Sequence, residues 1–114
     1  MSLKELQNIC LLSLSDSKAF KLTIIDLKED AAFTECMIIA TSTSSRHAKS
    51  VSDNLIKRIK DKKINFFGVE GEKDSDWILI DCGNIVINIM KEDVREFYDL
   101  EGLWGNGKNI IEHQ

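Results

Sequence analysis

The chain has 114 residues, of which 43% are hydrophobic and 30% are charged, and its formal net charge is −4. This length suits one compact domain rather than two, and no apolar run approaches the roughly 20 residues that a membrane span requires. The negative net charge argues against a general nucleic-acid binder, because binding to phosphate groups normally requires a basic surface.

The N-terminal residues show neither a secretory signal nor an Arg-rich transit pattern, so we expect the protein in the cytoplasm. The three cysteines, Cys10, Cys36 and Cys82, are widely spaced and lie among apolar residues. Isolated cysteines in an odd number favour reduced, buried thiols over a disulfide framework or a zinc site.

The first half of the chain begins with a predicted amphipathic helix at residues 3 to 14, where apolar side chains recur at helical spacing. Residues 21 to 27 (KLTIIDL) and 35 to 41 (ECMIIAT) are short β-rich runs separated by a charged segment, which is typical of two neighbouring antiparallel strands. Their consecutive apolar residues predict a sheet that is covered on both faces.

A second helix is predicted at residues 46 to 62, because five consecutive Thr or Ser residues able to cap a helix precede apolar residues at helical spacing. Its exposed face is basic, which indicates a solvated flank, with contact to RNA as the alternative. The segment TSTSSRH could also bind an anion through backbone N–H groups and Arg46, but helix capping explains it without any ligand.

The second half contains a predicted strand at residues 66 to 69, followed by an acidic loop. Residues 77 to 82 and 85 to 90 are predicted strands joined by the two-residue turn Gly83-Asn84. Residues 92 to 103 follow as one helix, with Val94, Phe97 and Tyr98 as its apolar stripe. The sequence thus predicts a single-domain α/β (α+β) fold, a mixed five-stranded sheet flanked by helices.

The domain is predicted to span residues 1 to 104, and residues 105 to 114 are predicted to form a flexible tail. No Gly-rich phosphate loop, HExxH or CxxC motif occurs, and the two histidines, His47 and His113, have no obvious catalytic partner. We therefore predict no catalytic residue, no cofactor and no metal site, and we expect a protein that is not an enzyme.

The segment from residue 70 to 101 carries ten acidic and three basic residues. It also contains Trp77, Met90 and Tyr98, and aromatic residues or Met inside an acidic rim are typical of a protein interface. Strand alternation places Trp77, Leu79 and Asp81 on one face, opposite the purer core face. This segment predicts a docking surface for a basic protein, with Trp77, Met90 and Tyr98 as its exposed anchors.

Three segments in this order resemble the ribosomal silencing factor family, also called RsfS, YbeB or Iojap. They are CMIIATSTSSRHAKSVSDNL, GVEGEKDSDWILIDCGNIVINIM and REFYDLEGLW. The ordered combination of SSRH, VEG, DW, DxG and FYxLExLW is far more specific than any one of these motifs. The resemblance covers residues 3 to 104.

The resemblance implies a nucleotidyltransferase-like fold without the transferase active site. It further implies docking on large-subunit ribosomal protein number fourteen, which would sterically block joining of the small subunit and lower translation when nutrients are scarce. By the family pattern, partner binding is carried over to these residues: Glu70, Trp77, Asp81, Met90, Arg95, Tyr98 and Leu100.

Two positions depart from the family pattern, since Asn84 stands where Asp is usual and Asn88 where His is common. The loss of a histidine at position 88 makes a pH-sensitive or catalytic role there doubtful. Three other functions stay open. They are a residual nucleotidyltransferase using TSTSSRH with Asp81, a self-associating module that forms a symmetric homodimer, and a factor for large-subunit assembly.

Overall fold

The computed structural model describes residues 1–29, 33–105 and 109–112. Within these ranges the helices are α1 (Leu3–Asp16), α2 (Ser45–Asp61), α3 (Glu92–Tyr98) and α4 (Leu100–Trp104). The strands are β1 (Phe20–Asp26), β2 (Cys36–Ser42), β3 (Gly68–Glu70), β4 (Trp77–Asp81), β5 (Ile85–Lys91) and β6 (Ile110–Glu112). None of these helices is both long and apolar enough to cross a bilayer.

The six strands of the described chain form one mixed sheet in the order β3-β4-β5-β2-β1-β6. β2 and β5 are parallel, and all other neighbours are antiparallel. The predicted β1–β2 pair and the β4–β5 hairpin are confirmed. At the hairpin turn Gly83 has a φ of +82°, a conformation that glycine adopts without a steric penalty. The mixed α/β class is confirmed, with six strands in place of the predicted five.

One face of the sheet, which we call the closed face, is covered by α1 and α2. The apolar residues of α2 that the helical spacing singled out, Ala48, Val51, Leu55 and Ile59, are fully buried there. Ile38 of β2 and Ile87 of β5 are also fully buried in the same cluster. This large apolar core is the main source of stability expected for a domain of this size.

The three cysteines lie in the core of the closed face, and all are free thiols. Burial raises the pKa of Cys10 to about 12 and the pKa of Cys36 and Cys82 to about 11. A thiolate is disfavoured in apolar surroundings, so these groups stay protonated and unreactive at neutral pH. The prediction of reduced, buried cysteines is confirmed.

The opposite face, which we call the open face, is covered only in part. α3 and α4 pack Val94, Leu100 and Trp104 onto a second, smaller core in which Ile39 and Met90 are fully buried. Leu79 and Asp81 of β4 are half-buried and belong to neither core. The open face therefore leaves part of the sheet accessible to solvent.

The prediction of one helix over residues 92 to 103 is wrong, because the chain breaks at Asp99. Asp99 has a φ of 45°, in the left-handed region, and ends α3. Its carboxylate then accepts a hydrogen bond from the backbone N–H of Gly102 and caps α4. Aspartate tolerates this conformation better than most residues, and its side chain replaces the lost helical hydrogen bonds.

The prediction of a flexible tail is wrong for Ile110–Glu112, which form β6 on the outer edge of β1. Ile110 lies opposite Ile25 and packs against the second core. Asn109 is also tied down, because its side-chain amide donates to the backbone carbonyls of Asp26 and Trp104. Residues 106–108 and 113–114, the latter including His113, lie outside the described residues.

Candidate functional site

The exposed part of the open face follows from strand alternation in β4. Trp77, Leu79 and Asp81 are half-buried, whereas Ile78 and Ile80 between them are fully buried on the closed face. The predicted division of this strand is confirmed. Glu70 of the edge strand β3 lies opposite Leu79 and is exposed, so its side chain shares the open face.

An aromatic patch, made of Trp77, Phe97 and Tyr98, lies where β4 meets α3. The ring centroids of Trp77 and Tyr98 are 4.8 Å apart, and those of Tyr98 and Phe97 are 5.1 Å apart. Tyr98 is 52% exposed and Phe97 is 81% exposed. These distances are typical of aromatic contacts, and large exposed rings of this kind are concentrated at interfaces.

Phe97 was predicted to pack inward as part of an apolar stripe, and this is wrong. Only Val94 of the proposed stripe packs against the second core. The helix has just seven residues, none of them fully buried, and the Phe97 ring is left in solvent. The position of Phe97 beside four acidic residues of the same helix region was the sequence signal for an exposed ring.

The surroundings of the aromatic patch are negatively charged. Four of the ten acidic residues between positions 70 and 101 form ion pairs, with Lys49, Lys91, Lys21 and Arg95 as their partners. The other six make no ion pair with the described residues: Glu70, Asp74, Asp81, Asp93, Glu96 and Asp99. An excess of unpaired carboxylates favours encounter with a basic partner.

Met90 and Leu100 were predicted to contact a partner, and the expectation that Met90 is exposed is wrong. Met90 is fully buried and Leu100 is only 7% exposed, both in the second core. The Met90 side chain lies beside Trp77 on the same face of the sheet, since the two residues are paired across the β4–β5 ladder. Met90 and Leu100 therefore belong to the second core, between the sheet and the helices α3 and α4.

Arg95 was predicted to contact a partner, but the structure places it in an internal hydrogen-bond network. Its side chain is only 11% exposed and forms an ion pair with Glu101, 2.7 Å from guanidinium nitrogen to carboxylate oxygen. The guanidinium also donates to the hydroxyls of Thr41 and Thr23, at 2.8 Å each, and to the backbone carbonyl of Lys21. Arg95 thus fastens α3 and α4 to β1 and β2.

The TSTSSRH segment is a helix cap, as predicted. The Ser44 hydroxyl accepts a hydrogen bond from the backbone N–H of His47 at the start of α2. Nδ1 of His47 accepts from the Thr43 backbone N–H at 2.9 Å, so its Nε2 carries the proton and donates to the Ser17 carbonyl at 2.8 Å. The Nε2 bond thus joins the start of α2 to the end of α1, and the Nδ1 bond ties α2 to the segment before it.

The structure does not bring TSTSSRH and Asp81 together, as a residual nucleotidyltransferase would require. The Ser45 hydroxyl of the cap region donates a hydrogen bond of 2.6 Å to Asp76, and Asp76 adjoins the start of β4. Asp81 lies at the other end of β4, about 13 Å from the start of the strand at the usual rise per residue. Its carboxylate accepts a hydrogen bond from the Gly83 backbone N–H. Across the described ranges, no three His, Cys, Asp or Glu side chains form a group that could hold a metal ion.

The basic flank of α2 is partly neutralised within the chain. Lys49 forms ion pairs with Asp53 and Glu72, and Arg58 pairs with Asp16. Lys60 lies over the ring of Phe66, 5.3 Å from its centroid. These contacts agree with a solvated flank, and contact between this helix and RNA stays a prediction.

The family model of the ribosomal silencing factor during starvation matches residues 1–114. The chain belongs to the ribosomal silencing factor family. The resemblance found in its motifs is thus confirmed, and the match includes residues 105 to 114, which those motifs do not reach. Membership in this family places the function of the chain in the regulation of translation.

Individual relatives agree with this assignment. The chain is 39% identical over 92 residues to the ribosomal silencing factor RsfS of Haemophilus influenzae, covering 81% of this chain and 90% of the relative. It is 31% identical over 94 residues to the mouse protein named mitochondrial assembly of ribosomal large subunit protein 1, covering 80% of this chain and 41% of that protein. A crystal structure from Chromobacterium violaceum superposes with a TM-score of 0.90 at 30% identity, covering 95% of this chain and 90% of the other.

Proposed function

We propose that this silencing factor binds the large ribosomal subunit through its open face and sterically blocks joining of the small subunit. The observation that carries this proposal is the aromatic patch, which is exposed within a field of unpaired carboxylates. Exposed aromatic rings supply the binding energy of an interface, and complementary charge selects the partner and speeds encounter. Blocking requires only occupancy of the joining surface, and no bond is made or broken.

The partner that best fits this surface is a basic ribosomal protein, and the family resemblance points to large-subunit ribosomal protein number fourteen. Contacts would come from the side chains that are accessible on the open face: Glu70, Trp77, Asp81, Phe97 and Tyr98. Met90, Arg95 and Leu100 would act from within the domain. The chain measures 34 × 34 × 23 Å, which is thick enough to keep two docked surfaces apart.

The physiological result would be repression of translation under nutrient limitation, in the compartment that holds the ribosomes, the cytoplasm. The family description, a ribosomal silencing factor during starvation, supports this proposal. Repression would be reversible, because it depends on occupancy of a binding site.

Sedimentation of purified small and large subunits, with and without the protein, tests the proposal. We expect the protein to migrate with large subunits and the peak of joined ribosomes to shrink. Trp77→Ala should weaken binding by about 2 kcal/mol, which is about 30-fold, whereas Leu12→Ala on the exposed side of α1 should bind as wild type does. A full joined peak with the protein left at the top of the gradient would overturn the proposal.

The name of the mouse relative favours a second candidate function, in large-subunit assembly. In that case cells depleted of the protein should accumulate incomplete large subunits even in rich medium. A normal particle profile on depletion would exclude this function and leave silencing in place.

Self-association is an alternative use of the aromatic patch. A homodimer formed through the Trp77 face would compete with subunit binding. In a concentration series of the subunit-binding assay, this competition would make occupancy of the subunits rise less steeply than simple one-site binding predicts, because dimerisation holds back the free monomer.

A further inference from the structure

Asn88 lies in the middle of β5 on the open face and is only 1% exposed. It is flanked in the sheet by Leu79 on one side and Ile39 on the other. Its Oδ1 accepts a hydrogen bond of 2.9 Å from the indole N–H of Trp77. The assignment of the amide is chemically fixed, because an indole nitrogen can only donate and the atom that faces it must therefore be the oxygen.

The other half of this amide is unusual. Nδ2 of Asn88 is buried and has no hydrogen-bond partner among the described residues. A buried donor without a partner lowers stability by an amount similar to, or larger than, the net gain from one hydrogen bond. An aliphatic residue between Leu79 and Ile39 would avoid this loss, so folding alone does not favour asparagine here.

What the asparagine provides is a fixed orientation of Trp77. The indole is held at its nitrogen by the buried amide and contacts the Tyr98 ring, with an angle of 50° between the two ring planes. A ring fixed in one orientation loses less conformational entropy when a partner binds than a ring that must first be ordered.

We propose that Asn88 is a positioning residue that presets Trp77 for docking and never touches the partner itself. This inference rests on the proposed function, since it assumes that Trp77 contacts the large subunit. It explains why a position enclosed by apolar neighbours retains a half-satisfied amide.

The variant Asn88→Leu separates this role from a structural one. It removes the acceptor for the indole together with the unpaired donor, so the thermal midpoint should stay equal or rise. Binding to large subunits should nevertheless weaken about tenfold. Asn88→His, by contrast, should keep most of the wild-type binding, because a ring nitrogen of histidine can accept the hydrogen bond from the indole.

A double-mutant cycle tests whether the effect passes through Trp77. In a Trp77→Phe background no indole N–H exists, so adding Asn88→Leu should cause no further loss of binding. An equal tenfold loss in that background would overturn the inference, and so would wild-type binding by Asn88→Leu alone. A wild-type protein that fails to bind large subunits would instead overturn the proposed function.

Fluorescence provides a measurement that needs no ribosome. With Trp104→Phe as background, Trp77 is the one remaining tryptophan of the sequence. Asn88→Leu should then increase the quenching of Trp77 by acrylamide and lower its anisotropy, because the ring is released. Unchanged quenching and anisotropy would contradict a positioning role.

Discussion

The two faces of the sheet differ in what lies beneath their covering helices. The closed face buries a continuous apolar core under α1 and α2. The open face carries the polar side chains of Thr23, Thr41 and Asn88. From α3, Arg95 donates hydrogen bonds to the two threonines. An apolar core stabilises without preference for direction, but hydrogen bonds fix particular side chains at particular angles. The difference indicates that the closed face maintains the fold, while the open face orients the groups that we propose to meet a partner.

The largest expected effect comes from the closed face. Leu55→Ala should lower the free energy of unfolding by about 4 kcal/mol, because Leu55 is fully buried and its truncation leaves a cavity. Urea denaturation measures the loss, with the exposed Leu12→Ala of α1 as control. Binding to large subunits per folded molecule should be unchanged, and a parallel loss of affinity would contradict the separation of the two faces.

The next effect tests whether the internal network of the open face supports its surface. Arg95→Ala should lower the free energy of unfolding by about 3 kcal/mol, since it leaves the Glu101 carboxylate and two threonine hydroxyls without their partner. It should also weaken subunit binding, because α3 carries Tyr98. Lys91→Ala, which breaks an exposed pair at 3.7 Å, should cost less than about 1 kcal/mol in the same denaturation series. Equal losses for the two variants would reject the special role of Arg95.

A matched pair of aromatic residues sharpens the comparison at the surface. Tyr98 and Phe33 are each 52% exposed, and each contacts a tryptophan ring. Phe33 lies near the β1–β2 connection, at the opposite end of the strands from Trp77. Tyr98→Ala should weaken subunit binding by about 2 kcal/mol, and Phe33→Ala should leave it within threefold of wild type. Calorimetric titration of large subunits gives both affinities, and a greater loss for Phe33→Ala would move the interface to the other end of the sheet.

The smallest effect concerns Asp76, which links the acidic loop before β4 to the start of α2. The hydrogen bond from Ser45 lowers the pKa of Asp76, and Lys91 adds to this effect. A carboxylate with a lowered pKa stabilises the fold above its unfolded pKa and loses that contribution as the pH falls through the folded pKa. The advantage of wild type over Asp76→Asn in urea denaturation should therefore be present at pH 7 and shrink below about pH 4. An advantage that grows as the pH falls would contradict the assignment.

The sequence predicted the regular parts of the fold because their patterns are local. The helical spacing of α2, the alternation in β4 and the Gly83-Asn84 turn each lie within a few residues, and all three are confirmed. The break at Asp99 was missed, because a left-handed residue leaves no trace in hydrophobic periodicity. β6 was missed because its two isoleucines form a strand only against the distant edge of β1.

The candidate site was predicted in part for the same reason. Trp77 and Tyr98 are accessible as expected, but the burial of Met90 and Leu100 depends on how α3 and α4 fold back over the sheet. The contact between Trp77 and Asn88 could have been found from the β4–β5 register, which places Asn88 opposite Leu79 on the same face. The network of Arg95 joins residues more than 70 positions apart and has no local signal.

Photo-crosslinking from the two sides of the domain tests the central claim most directly. Benzoylphenylalanine would replace Phe97 on the open face or Leu12 on α1, both of which are well exposed. After irradiation with purified large subunits, mass spectrometry would identify the attached ribosomal protein. We predict a crosslink from position 97 to ribosomal protein number fourteen and none from position 12. A crosslink from position 12 with none from position 97 would show that the closed side of the domain faces the ribosome and would contradict this account.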